Sequence, residues 1–240
     1  MKINICHLYP DLLNLYGDKG NITALTKRLL WRGIEASVTE YKIDDVPDFS
    51  DKDIVFLGGG SDREQRLVCN KLLEQKGKLS EYVENNGCLV AVCGGYQLLG
   101  KYYKLDNETI EGLSLVDLYT EQKPGRLIGK VVLKSSIFDD YIVGFENHGG
   151  RTYTNNLPSL GSVLYGFGNN GEDKQEGVVY KNIIGTYLHG PVLPANPKLT
   201  DFILERALKQ KYGEVALTPL DDSAETDARE YIVKKYLGHL

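Results

Sequence analysis

The chain has 240 residues, 42% of them hydrophobic and 25% charged, with a formal net charge of −5. This mildly acidic, ordinary composition gives no electrostatic basis for binding nucleic acid or an anionic membrane surface. No window approaches the roughly eighteen uninterrupted apolar residues of a membrane-spanning helix.

Residues 3–8 read as a first strand, and the opening segment breaks too early for a signal peptide, so a cytoplasmic protein with reduced thiols is expected. A polar glycine loop, Asn14-Leu15-Tyr16-Gly17-Asp18-Lys19-Gly20-Asn21, comes next. It is either a loop with a helix cap or part of a crevice or partner surface. Ile22, Leu25, Leu29 and Leu30 fall at helical spacing within 21–32, and 34–41 alternates as a strand. Residues 53–57 form a short apolar run ending on Gly58-Gly59-Gly60. Ser61 can cap a helix reaching about Lys76, with Glu64 at the capping-box position, and a second helix is expected over 79–85. The apolar run 88–92 predicts a buried strand, followed at Tyr96 by the first turns of another helix. This βαβα order predicts a parallel, doubly wound sheet, whose ligands bind beyond the carboxyl ends of the strands. Residues 58–60 and Cys93 both lie at such ends.

Beyond about Gly112 the pattern changes. Short strands are predicted at 127–134, 141–145, 162–166, 177–180 and 183–187, separated by turn-rich pieces such as Asn169-Asn170-Gly171. No Pro/Ser linker interrupts the chain. One domain over 1–240 is expected, doubly wound over about 1–112 and extended by antiparallel strands beyond. Two amphipathic helices near 199–211 and 224–237 close it.

The four cysteines, Cys6, Cys69, Cys88 and Cys93, form no CxxC pair, and no zinc spacing joins them to the four histidines, so no metal site is expected. Cys6, Cys69 and Cys88 sit in apolar contexts and read as small buried hydrophobes. Cys93 stands on a tight strand-to-helix turn in Ala91-Val92-Cys93-Gly94-Gly95-Tyr96-Gln97. There, unpaired helix N–H groups favour an anion and should lower a thiol pKa of about 8.5. This is the setting of a cysteine nucleophile, which needs a base. His189, in Gly185-Thr186-Tyr187-Leu188-His189-Gly190-Pro191, follows an apolar strand on what reads as a rigid, solvent-facing turn, and is the favoured base. His7 and His239 are weaker candidates, and His148 reads as a loop residue that orders local hydrogen bonds. The glycine triplet is more than a turn needs. Backbone N–H groups at Gly60 and Gly94 are candidate oxyanion donors. Arg126 precedes a strand and could fork onto a substrate carboxylate. The run Gly166-Phe167-Gly168-Asn169-Asn170-Gly171 matches GxGxxG but leads into charged residues, so it is set aside as coincidence.

Taken together, Cys93-Gly94-Gly95-Tyr96-Gln97, Gly144-Phe145-Glu146-Asn147-His148-Gly149 and Gly185-Thr186-Tyr187-Leu188-His189-Gly190 resemble the class I glutamine amidotransferases, and within them the CobB/CobQ-like branch. The resemblance spans nearly the whole chain, fading after about Tyr212. It implies a flavodoxin-like α/β fold with helices on both faces of the sheet. It further implies that Cys93 and His189 hydrolyse glutamine through a thioester and that Arg126 holds the glutamine. Ammonia would pass to a MurT-type ligase in a heterodimer. That partner, using ATP and Mg that this chain has no signature for, would amidate the D-glutamate α-carboxyl of the lipid II stem peptide in peptidoglycan synthesis. Many class I members carry His-x-Glu, but here the third position is Pro191. The orienting carboxylate is then expected from elsewhere, with the partner as the candidate source. The alternative reading is a stand-alone cysteine γ-glutamyl hydrolase of the same fold.

Overall fold

A computed structural model describes residues 1–15 and 17–238. His239 lies outside the described residues. The elements run β1 (Lys2–Leu8), α1 (Lys19–Leu30), β2 (Glu35–Tyr41), β3 (Ile54–Leu57), α2 (Asp62–Glu74), α3 (Lys76–Glu84), β4 (Cys88–Val92) and α4 (Gly94–Leu98). They continue with β5 (Tyr102–Lys104), β6 (Thr109–Glu111), β7 (Tyr119–Ser135), β8 (Tyr141–Tyr153), β9 (Gly161–Tyr165), β10 (Gln175–Glu176), β11 (Val178–Tyr180), β12 (Ile183–Thr186), α5 (Pro197–Tyr212) and α6 (Ser223–Leu237).

The first sheet has the order β11-β12-β4-β3-β1-β2. β2, β1, β3, β4 and β12 are all parallel to their neighbours, and β11 closes one edge antiparallel to β12. Every residue of β3 and β4 is buried. Both faces of the sheet centre are therefore covered, which is why these strands read as unbroken apolar runs rather than alternations. Ser61 and Glu64 form the capping box expected at the start of α2.

The second sheet has the order β10-β9-β7-β5-β6, with β8 paired to β7. Two expectations are corrected here. The strands near 177–180 and 183–187 do not belong to this antiparallel layer. β12 crosses back to lie parallel beside β4, pairing Ile183 with Leu89 and Thr186 with Val92. The strand containing Arg126 starts earlier than predicted, at Tyr119, and its register against β8 shifts between Gln122 and Leu127. Lys123-Pro124-Gly125-Arg126, expected to precede a strand, forms a bulge inside a long one, with Gly125 at φ 77°.

One continuous apolar cluster runs from β1, β3 and β4 into Val131, Leu133, Ile142 and Leu160 of the second layer. α5 packs on α1 and β4, and α6 packs across β7, β8 and β9. Arg28 of α1 and Arg32, just past its end, both reach Asp201 of α5, and Arg28 also takes Asp222, just before α6. Among the described residues, no helix is long and apolar enough to cross a membrane.

Candidate active site

Cys93 is the hinge between β4 and α4, at φ 51° and ψ −109°. A non-glycine residue held there carries strain of order 1–3 kcal/mol, so the surroundings must impose it. They do so from three sides. The Cys93 N–H donates to the Thr186 carbonyl at 2.8 Å, extending the β4–β12 ladder onto the turn. The Gly95 N–H donates to the Gly58 carbonyl at 3.1 Å. A Cβ on Gly95 would lie 2.6 Å from the Leu57 carbonyl oxygen, so only glycine lets the two turns approach this closely.

The thiol does not behave as the helix-terminus argument predicts. The Gly94 N–H and the Arg126 charge pull its pKa down, but burial and the neighbouring Asp18 carboxylate outweigh them and push it up to about 12. Desolvation of a buried anion exceeds what one short helix terminus returns. The resting sulfur is therefore a thiol, and reaction requires a base. Cys6, Cys69 and Cys88 are free and buried, as expected.

Gly60, Cys93, Arg126 and His148 line one cleft of about 200 Å³, together with Gln65 and Asn147. The glycine turn is tightly bonded. Gly59 donates to Asp18 Oδ2 at 2.8 Å, and the Gly60 carbonyl accepts from Gln65 Nε2 at 3.1 Å. Among the described residues, no hydrogen bond occupies the Gly60 amide. Arg126 is fixed from below by Asn147, its Nε donating to Oδ1 and an Nη to the main-chain oxygen, both at 2.8 Å.

His189 is buried rather than solvent-facing. Its backbone exchanges hydrogen bonds with Phe145 of β8, and its ring packs edge-on against the Phe145 ring at 5.5 Å. It lines a neighbouring cavity of about 450 Å³ between β8 and α6, with Lys130, Phe145, Pro191 and Ala228. Phe145 and His148, three apart on one strand, point to opposite sides. The Arg126 charge reaches both groups, lowering the pKa of Cys93 and of His189. Burial first, then His148 and Arg126, bring His189 down to about 4, so its imidazole is neutral at pH 7.

His148 lies in β8, not in a loop. Its Nδ1 is 2.7 Å from the Gly150 carbonyl and so carries a proton, and Nε2 is 3.5 Å from Glu146. The ring stacks on Tyr187 at 3.6 Å. Sequence reasoning took it for a local organiser, which these bonds bear out, but missed that it faces the cleft. His7 is buried in β1 against Phe56 and does not line the cleft. The GxGxxG run has an internal use, since the Phe167 and Gly168 amides donate to the Glu146 carboxylate at 2.7 and 2.9 Å.

A parallel sheet ending in a strained cysteine elbow, beside a glycine turn and an arginine, defines a class, and the sequence agrees with it. Residues 4–197 match the CobB/CobQ-like glutamine amidotransferase domain, and the chain belongs to that family; it is a glutamine-hydrolysing enzyme. More particularly, it is 46% identical, over 98% of its length and 96% of the relative's, to the lipid II isoglutaminyl synthase (glutamine-hydrolyzing) subunit GatD of Staphylococcus aureus (strain N315). It is 41% identical to the protein of the same name from Streptococcus pneumoniae (strain ATCC BAA-255 / R6), over 96% of this chain and 90% of that one. The fold is also that of a solved glutamine amidotransferase, with a TM-score of 0.57 at 17% identity, covering 84% of this chain and 98% of the other.

Proposed function

We propose that the chain is the glutaminase subunit of a lipid II isoglutaminyl synthase. It hydrolyses L-glutamine and passes ammonia to a MurT-type ligase partner in the cytoplasm. The observation that carries this reading is the end-to-end similarity to the two GatD subunits, with Cys93 and Arg126 meeting in one cleft. ATP and Mg belong to the partner, which activates the D-glutamate α-carboxyl of the lipid II stem peptide.

The Cys93 proton passes to the neutral His189 imidazole as Sγ attacks the glutamine side-chain amide carbon. The Gly60 and Gly94 amides receive the oxyanion, an arrangement in which one donor is worth about 10²–10³ in rate. The C–N bond then breaks, the imidazolium proton leaves with ammonia, and a glutamyl thioester remains. Water, deprotonated by His189, attacks that thioester and releases glutamate and the thiol. Arg126, held by Asn147, forks onto the glutamine α-carboxylate. The cleft, at about 200 Å³, is smaller than the roughly 300–1,000 Å³ of drug-sized pockets. That favours a single amino acid over a γ-glutamyl peptide.

The partner assists the His189 base by supplying or positioning the carboxylate that Pro191 replaces. The subunit purified with its ligase should then turn over glutamine much faster than the subunit alone, and Cys93→Ala should abolish both turnover and labelling by a glutamine-analogue electrophile. Equal rates with and without the ligase would refute the assisted base. Persistent turnover in Cys93→Ala would refute the nucleophile.

A further inference from the structure

The turn entering α1 grips both loops on which the reaction depends. Asp18 is fully buried, and its Oδ2 accepts the Gly59 N–H at 2.8 Å. A Cβ on Gly58 would lie 2.9 Å from that same oxygen and 2.3 Å from the Leu13 carbonyl oxygen, so the turn and the glycine loop are in direct contact. A Cβ on Gly59 would lie 3.0 Å from Cys93 Cβ and 3.7 Å from its sulfur. Asp18 therefore holds the loop residue that lies against the thiol, one position before Gly60. On the other side, buried Asn21 accepts the Leu193 N–H through Oδ1 at 2.9 Å. A Cβ on Gly20 would lie 2.4 Å from Pro191 Cγ, so α1 lies directly against the segment two residues after His189. Asn21 Nδ2 and Asp18 Oδ1 face each other across 3.5 Å, joining the two grips.

We propose that Asp18 and Asn21 form a positioning clamp: Asp18 sets the Gly58-Gly59-Gly60 turn against Cys93, and Asn21 sets the loop that follows His189. The proposal rests on the roles given above to Cys93, Gly60 and His189. A carboxylate here has a cost, because its charge helps keep the thiol protonated. Its gain is a charge-assisted bond to the loop amide, about twice as strong as a neutral one. Burial holds Asp18 itself at about 6 even with that bond.

These opposed effects supply the test. In the subunit purified with its ligase partner, Asp18→Asn should lower kcat for glutamine hydrolysis about tenfold, and Asp18→Ala about 100-fold, the scale of a misplacement near 1 Å. KM should move less than about threefold, because Arg126 is untouched. Asn21→Ala should also lower kcat. Alkylation of Cys93 by iodoacetamide at pH 7 should become faster in Asp18→Asn, since a neighbouring negative charge is gone. The clamp is overturned if Asp18→Ala keeps kcat within twofold of the parent. It is equally overturned if alkylation slows together with turnover, the mark of a collapsed site. Cys93→Ala is the control. If it is inactive while Asp18→Ala is active, only the clamp fails; if it remains active, the nucleophile assignment fails and the clamp with it.

Discussion

At the scale of single residues, side chains that hold other side chains matter as much as those expected to react. Arg126 is solvent-exposed, and an exposed guanidinium left alone samples many rotamers. Two bonds to Asn147 remove that freedom, which in the proposed role readies Arg126 for glutamine. Asn147→Ala should therefore raise KM for glutamine severalfold with kcat little changed, as steady-state kinetics of the complex would show. Cys93 was legible in the sequence because apolar strand, cysteine, two glycines and helix are contiguous. Asp18 and Asn147 were not, because each acts through an acceptor or donor far along the chain. The polar loop around Asp18 stood out as a cap or a crevice or partner surface, without singling out Asp18. The direction of the Cys93 pKa was also misread, since a sequence displays the helix terminus but not the burial that overrides it.

At the scale of elements, the second layer is tied to the elbow by buried hydroxyls. Thr120 and Thr152 are 2.8 Å apart, Thr152 and Tyr187 2.6 Å, and Gln97 of α4 donates to the Tyr187 hydroxyl at 3.1 Å. Tyr187→Phe strands Gln97 and breaks the chain at its centre. A loss of about 1–3 kcal/mol in unfolding free energy is expected, measurable by denaturant titration. β3 and β4 were readable because parallel strands buried on both faces leave unbroken apolar runs with glycine close after their ends. β5 and β6, three residues each, carry no periodicity to read and were missed. β12 was recognised as a strand but placed in the wrong sheet. Its own sequence says that it is buried, while only the fold says beside which strand.

At the scale of the molecule, burial of thiols sets an alkaline limit. Burial raises Cys6 and Cys88 from 9.0 to about 12 and Cys69 to about 11, and Cys93 also reaches about 12. Above pH 9 the unfolded chain releases these protons while the native chain keeps them. The unfolded state then binds fewer protons, and stability falls as pH rises from about 9 towards 12. The thermal midpoint should drop steeply over that window, and a Cys6→Ser, Cys88→Ser double variant should show a shallower decline, though from a lower starting point. A flat midpoint between pH 9 and 11 would contradict this.

The pairing of β4 with β12 also sets a schedule for biosynthesis. The Cys93 amide finds its acceptor only when Thr186 arrives. A nascent chain still missing that strand exposes an open sheet edge beside an unfinished elbow, and non-local pairings of this kind form late. A copy still on the ribosome is therefore kept from releasing ammonia until that strand has emerged and paired.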